Sequence, residues 1–226
     1  MAQAIAETLF DLVYLSFALT AGVIMLRRGQ SSLVKRAGLM SVLLGAGDAF
    51  HLLPRCYALW TTGLEAHAAA LGAGKFITSI TMTVFYLLLY FVWRERYQVK
   101  ERKELMWVMA GLCALRVALC LLPQNRWLSA DPPLTFGILR NIPFAAMGVI
   151  VIILFAQEGQ KAADPVFRFM PLAVTLSFAF YLPVVLFSGR YPLVGMLMIP
   201  KTLAYVWVVW MCWRLYRQEA PKKRKE

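Results

Sequence analysis

Histidine and cysteine are scarce in this chain, with two of the first and four of the second in 226 residues. Zinc takes three or four protein ligands in ordinary sites, and His51 and His67, the latter in a loop, fall short of that. The cysteines at 56, 113, 120 and 212 include no Cys-x-x-Cys pair. They read as buried free thiols rather than a disulfide framework. Acid is short too: 12 Asp and Glu stand against 24 Lys and Arg, and charged residues make up only 16% of the chain. There is no low-complexity linker, so residues 1–226 are expected to form one domain. The alternation of a β-barrel is missing as well. No basic n-region precedes the first apolar run, which itself carries Glu7 and Asp11. A cleaved signal peptide is therefore not expected, and that run reads as a span.

What the chain has is apolar length. Hydrophobic residues make up 60% of it, and the mean hydropathy is +0.62, too apolar for an ordinary soluble domain. Seven runs, at 5–26, 37–53, 75–93, 105–122, 135–156, 166–187 and 193–213, are each about the ~20 residues that an α-helix needs to cross a bilayer core. The expected fold is all-α, a polytopic membrane protein with seven transmembrane helices. The outer loops at 54–74 and 123–134 have length to spare, and Pro132 and Pro133 should keep the second from becoming helical.

Seventeen of the 24 basic residues fall in alternate loops (27–36, 94–104 and 157–168) and in the tail at 214–226, whereas the opposite loops hold Arg55, Arg126 and Arg190. The positive-inside rule then puts the N-terminus outside and the C-terminus inside, most simply in the cell membrane. The net charge of +12 is explained by loops and a Lys222, Lys223, Arg224, Lys225 tail lying against anionic lipid headgroups. No folded basic domain is present to carry a nucleic-acid role.

Against this background the ionisable residues inside the apolar runs stand out: Glu7, Asp11, Asp48, His51, Lys75, Arg116, Arg140 and Lys201. A charge at the centre of a membrane helix costs at least ~2.5 kcal/mol, so a chain retaining this many is expected to arrange them around each other or around water. By the helix rise, Asp11, Asp48, Arg116, Arg140 and Lys201 lie at one level, ~8 to 12 Å below the outer boundary. The inner half has almost no ionisable group, with Tyr90 the one polar interruption of its stretches 87–92 and 149–155. Asp48 with His51 and Lys201 with Tyr205 share helix faces. Three acids would face four cations, leaving one cation for an anionic or zwitterionic ligand group. Pro143 follows Arg140 and Asn141, Pro183 follows Tyr181, and Pro200 precedes Lys201. Each is expected to open its helix at the polar layer. Matching order of Asp11 with Arg140, Phe50 and His51 with Phe180 and Tyr181, and Lys75 with Lys201 suggests two parallel three-helix units joined by helix 4.

The segment Gly45-Ala46-Gly47-Asp48-Ala49-Phe50-His51 resembles the second-helix Gly-x-Gly-Ser-x-x-Phe-His motif of the alkaline ceramidase superfamily. The resemblance implies a seven-helix hydrolase with an outside N-terminus that binds zinc through this histidine and a His-x-x-x-His pair in helix 7. Here Asp48 stands one position closer to the histidine than the family's serine, and Lys201 and Tyr205 take the place of the pair. The chain is also similar to rhodopsins in helix number, N-terminal side and a helix 7 lysine. That similarity implies a retinal Schiff base on Lys201 with Asp48 or Asp11 as counterion. Residues 75–93 carry no acid, however, and Leu197 stands four before the lysine. Neither zinc nor retinal is therefore expected as a cofactor.

The expectation taken forward is a transporter or receptor-like protein. Its outward pocket would bind a small polar, anionic or lipid-headgroup ligand through Asp11, Asp48, His51, Lys75, Arg116, Arg140, Asn141, Tyr181, Lys201 and Tyr205. One alternative is an intramembrane lipid hydrolase, in which Asp48 and His51 activate water and Lys201 or Arg140 holds the oxyanion. Another is a structural subunit whose charges fix the bundle.

Overall fold

The computed structural model describes residues 1–219. Most of the expected basic tail, including Lys222 to Lys225, lies outside the described residues. Within them the chain is all-helical: α1 (Ala2–Arg28), α2 (Ser32–Trp60), α3 (Ala68–Arg96), α4 (Lys103–Leu121), α5 (Leu134–Lys161), α6 (Met170–Phe187) and α7 (Met198–Glu219). Seven helical segments are long and apolar enough to cross a membrane. Short 3-10 turns at Glu65–His67, Pro123–Asn125 and Pro192–Leu197 fill three of the connections.

Two helices are longer than their apolar runs. The loop expected at 54–74 is largely helix, because α2 continues through Pro54 to Trp60 and α3 begins at Ala68. Proline removes one backbone bond, to the carbonyl four residues before it. Contacts to α1 hold the extension: Arg55 donates to Glu7 at 3.0 Å and Trp60 to Thr8 at 3.0 Å. The carbonyl that Pro54 frees belongs to Phe50, and α3 packs against it at Gly74. Pro143 and Pro183 lie inside α5 and α6 as expected. Pro200 instead sits in the first turn of α7, directly after the 3-10 turn. Proline is tolerated there, so it starts the helix rather than interrupting it.

Each helix packs on the next, α7 returns to α1 and α2, and α3 also meets α5. The α1–α2 contact is close: a Cβ on Gly38 would stand 2.6 Å from the backbone nitrogen of Leu26. Small residues allow this kind of approach in membrane bundles, where packing rather than water drives association. The other half is packed by rings, with Tyr86 4.9 Å from Phe144 and Phe144 5.0 Å from Phe178 between centroids.

Arg27, Arg28, Arg94, Arg96 and Lys161 occupy the last turns of α1, α3 and α5. Cations are favoured at such C-termini by the helix dipole. Several basic groups at this end are already engaged. Arg36 pairs with Glu95 at 3.0 Å, and Ser32 also bonds that carboxylate. The buried Asp164 carboxylate accepts from Arg96 at 2.9 and 3.1 Å, from the Tyr97 hydroxyl at 3.1 Å, and from the Val166 and Phe167 amides at 2.8 and 3.3 Å. Burial works to raise the pKa of Asp164, but the Arg96 and backbone hydrogen bonds outweigh it and hold the carboxyl below the ordinary aspartate range.

Candidate functional site

The acids of the charged layer stand on α1 and α2, and partners on those same helices hold them. Glu7 pairs with Arg55, and Asp11 Oδ2 accepts from the Cys56 thiol at 3.6 Å. Asp48 Oδ2 accepts from the Tyr14 hydroxyl at 2.7 Å. Asp11 and Asp48 are buried. One turn from Asp48, His51 is half-buried, and its Nδ1 is enclosed without a partner among the described residues. Lys75 of α3, an electrostatic neighbour of His51, is exposed. His67 turns away: its ring packs edge-on to Tyr57 and its Nδ1 meets the Gly63 carbonyl at 3.0 Å. Among the described residues no three His, Cys, Asp or Glu side chains gather as a metal would need.

The cations stand across the bundle. Arg116 is only 2% exposed, one of three buried side chains on α4. Its guanidinium carbon lies 3.5 Å from the centroid of Phe144 on α5. Its Nε and Nη1 are enclosed and have no hydrogen-bond partner among the described residues. Resting on a ring occupies one face of a guanidinium and leaves the N–H edges pointing outward in its plane. Lys201 on α7, also buried, has its Nζ 5.3 Å from the Tyr181 centroid and 5.4 Å from that of Tyr205. Its charged neighbours are Asp48 and Arg116. Among the described residues neither cation has a carboxylate within 4.0 Å.

The acids and cations of the layer therefore do not pair with one another as the sequence suggests. Helix order explains this. The acids lie on α1 and α2, whereas α4, which carries Arg116, packs on α3 and α5. Lys201 alone approaches the acids, because α7 closes the bundle against α1 and α2.

Arg140 has a different setting. It donates to Asn125 Oδ1 at 2.9 Å and lies 4.2 Å over the Trp127 ring. Asn125 in turn donates to the carbonyls of Leu119 and Leu122 at 2.7 and 2.8 Å, and Trp127 donates to that of Cys120 at 2.8 Å. These are carbonyls that the end of α4 leaves without helical partners. Arg140 thus braces the cap of α4.

Asn141 and Tyr181 link α5 to α6, with the tyrosine hydroxyl donating to Asn141 Oδ1 at 3.0 Å while Asn141 donates to the Gly137 carbonyl at 2.8 Å. Below Lys201, the Tyr205 hydroxyl meets that of Tyr86 at 3.2 Å, and Tyr86 meets Ser177 at 3.4 Å. Arg116 and Lys201 thus border one cluster of rings, in which Tyr86 and Tyr181 both pack on Phe144 and Tyr86 also packs on Phe178.

Comparison with family models, curated proteins and solved structures finds no match. In the segment 45–51, Gly47 has no room for a Cβ beside Thr81 of α3, and its carbonyl accepts from Thr78 at 3.0 Å. That glycine serves the α2–α3 contact. Sequence reasoning missed Tyr14, Phe144, Asn125 and Ser177. Tyr14 lies three residues after Asp11, on the face that the acid marks, and was in principle legible. Phe144, one apolar residue among many, carried no signal.

Two surface clefts lie at the basic end: one is lined by Asp164, Arg168 and Pro171, the other by Arg36, Arg94 and Lys100.

Proposed function

We propose that this chain is an integral membrane transporter or receptor-like protein that binds an oxyanion, free or as the headgroup of an amphiphile, between Arg116 and Lys201. One observation carries this reading. Arg116 is buried and ring-stacked, and two of its nitrogens are without partners among the described residues. An unmet hydrogen-bonding group costs about 1 to 3 kcal/mol, and more when it is charged. A carboxylate, phosphate or sulfonate placed on the guanidinium edge would relieve that cost, with the Lys201 ammonium completing the site.

On this reading the protein lies in the cell membrane with the N-terminus outside and the layer nearer the outer face, as the distribution of Lys and Arg supports. α1–α3 and α5–α7 then form two units of the same direction joined by α4. Arg116 and Lys201 are both buried, so access requires movement, which suits a carrier or a sensor. The hydrolase reading has less support, because it needs Asp48 and His51 on one water, while Asp48 is bonded to Tyr14 and His51 lies toward Lys75.

Thermal unfolding in zwitterionic nanodiscs tests the proposal, with inorganic sulfate, inorganic phosphate, octanesulfonate and phosphatidic acid as probes. At least one is expected to raise the Tm of the wild type and to have no effect on Arg116→Gln. No stabilisation by any of the four would favour the structural-subunit reading.

A further inference from the structure

Four ionisable side chains of the layer are buried: Asp11, Asp48, Arg116 and Lys201 are 7, 8, 2 and 7% exposed. Ionised, the two acids offset the two cations. The remaining charges lie in other settings: Glu7 is paired with Arg55, Arg140 is half-buried on the α4 cap, and Lys75 is exposed. A singly charged oxyanion such as a sulfonate, entering between Arg116 and Lys201, would leave this balanced interior with one uncompensated negative charge, and a doubly charged one with at least that excess. Low-dielectric surroundings make such an excess costly.

We infer that an anion bound at Arg116 and Lys201 brings one proton with it, and that Asp48 holds that proton. The inference rests on the anion-binding reading above. Lys201 is the link. It is a charged neighbour of both Asp48 and Arg116, carried by the helix that packs on α2, with its ammonium 5.3 Å from the Tyr181 ring. When the ammonium moves to the anion, Asp48 loses its counter-charge and takes a proton from solution. Its Oδ2 keeps the Tyr14 hydrogen bond. Oδ1, which accepts no hydrogen bond from the described residues, receives the proton. No covalent bond changes other than the O–H formed, and the complex gains one anion and one proton together.

The other groups around Asp48 do not compete for this role. From α1 it faces Tyr14 and Asp11, and from α7 Lys201 and Tyr205. α3 meets α2 here through uncharged Thr78 and Thr81 at Gly47. On α2 itself, His51 lies one turn away with Lys75, Arg55 and Lys201 as charged neighbours, cations that oppose a further positive charge there, so His51→Gln is expected to retain the pH slope. Asp11 is set among Cys56, Glu7, Arg55 and Asp48. It lacks the lysine as a counter-charge, so the ligand does not disturb it directly.

The test uses the full chain in phosphatidylcholine nanodiscs. Octanesulfonate and inorganic sulfate are the probes, since neither titrates between about pH 5.5 and 8.5 and any pH dependence of binding therefore belongs to the protein. Binding of octanesulfonate alone would identify a membrane-dissolved amphiphile as the source, and binding of sulfate a free anion; the coupling is read on whichever binds. Wild-type affinity is expected to tighten about tenfold for each pH unit lowered while Asp48 is ionised in the free protein. In Asp48→Asn the affinity becomes independent of pH, and in Asp11→Asn the slope is retained.

A flat profile in a wild type that binds would overturn the coupling. So would loss of the slope in Asp11→Asn rather than Asp48→Asn. Binding of neither probe to the wild type would overturn the anion reading itself, a different result. Where Asp48→Asn does not fold, a pH-indicating dye in weakly buffered wild type gives the answer. About one proton taken up per bound anion supports the inference, and none overturns it.

Discussion

Arg116 rests on Phe144, its guanidinium carbon 3.5 Å from the ring centroid and its Nε and Nη1 enclosed with no partner among the described residues. A desolvated cation–π contact contributes about 2 kcal/mol. That offsets part of the cost of a buried arginine and leaves Nε and Nη1 unmet. The contact holds the guanidinium in place, and the unmet groups leave it available to a ligand.

Replacing Arg116 by Gln should therefore leave the ligand-free protein within about 1 kcal/mol of wild-type stability, or above it, because an unmet buried charge is removed along with the ring contact. Reversible unfolding in mixed micelles measures this. A loss of several kcal/mol would mean that the arginine is paired within the protein.

Lys201→Met is expected to stay folded and to lose the stabilisation that anions bring. The same variant examines the rhodopsin resemblance. Wild type mixed with retinal should show only the absorbance of the free aldehyde. A red-shifted band in the wild type that is absent from Lys201→Met would establish a Schiff base instead.

Arg140→Gln separates the two kinds of arginine in the layer. Its hydrogen bond to Asn125 and its stacking on Trp127 belong to the α4 cap. The substitution should cost about 1 to 3 kcal/mol of stability through the unmet Asn125 oxygen and leave anion affinity unchanged. The opposite pattern would put Arg140 in the site.

At the basic end, Asp164→Asn should be among the most destabilising surface-proximal changes, at about 2 to 4 kcal/mol, because it breaks a two-point ion pair with Arg96. The pH dependence follows from the depressed pKa of Asp164 in the folded chain. Its contribution is complete above the ordinary aspartate value of about 3.9 and is lost as pH falls through the lower folded value. Acid titration of stability should show that loss in the wild type and lack it in Asp164→Asn.

The helices were legible because membrane helices are apolar along their whole length; Lys103–Leu121 and Met170–Phe187 match their runs within a few residues. The extension of α2 past Pro54 was not, since it depends on Arg55 and Trp60 reaching α1. The ionisable residues inside the apolar runs were legible as a set. Its wiring was not: periodicity assigns a residue to a face of its own helix, while pairing depends on which helices become neighbours. Lys201 meets Asp48 only because α7 closes on α2, and Arg116 meets Phe144 rather than an acid because α4 lies against α5.

Anomalous diffraction from crystals of the protein equilibrated with selenate tests the anion site most directly. The account predicts a selenium peak inside the bundle between the Arg116 guanidinium and the Lys201 ammonium, absent from Arg116→Gln crystals grown in the same way. A wild-type structure with selenate bound only at the surface, and with Arg116 paired to a carboxylate of its own chain, would contradict it.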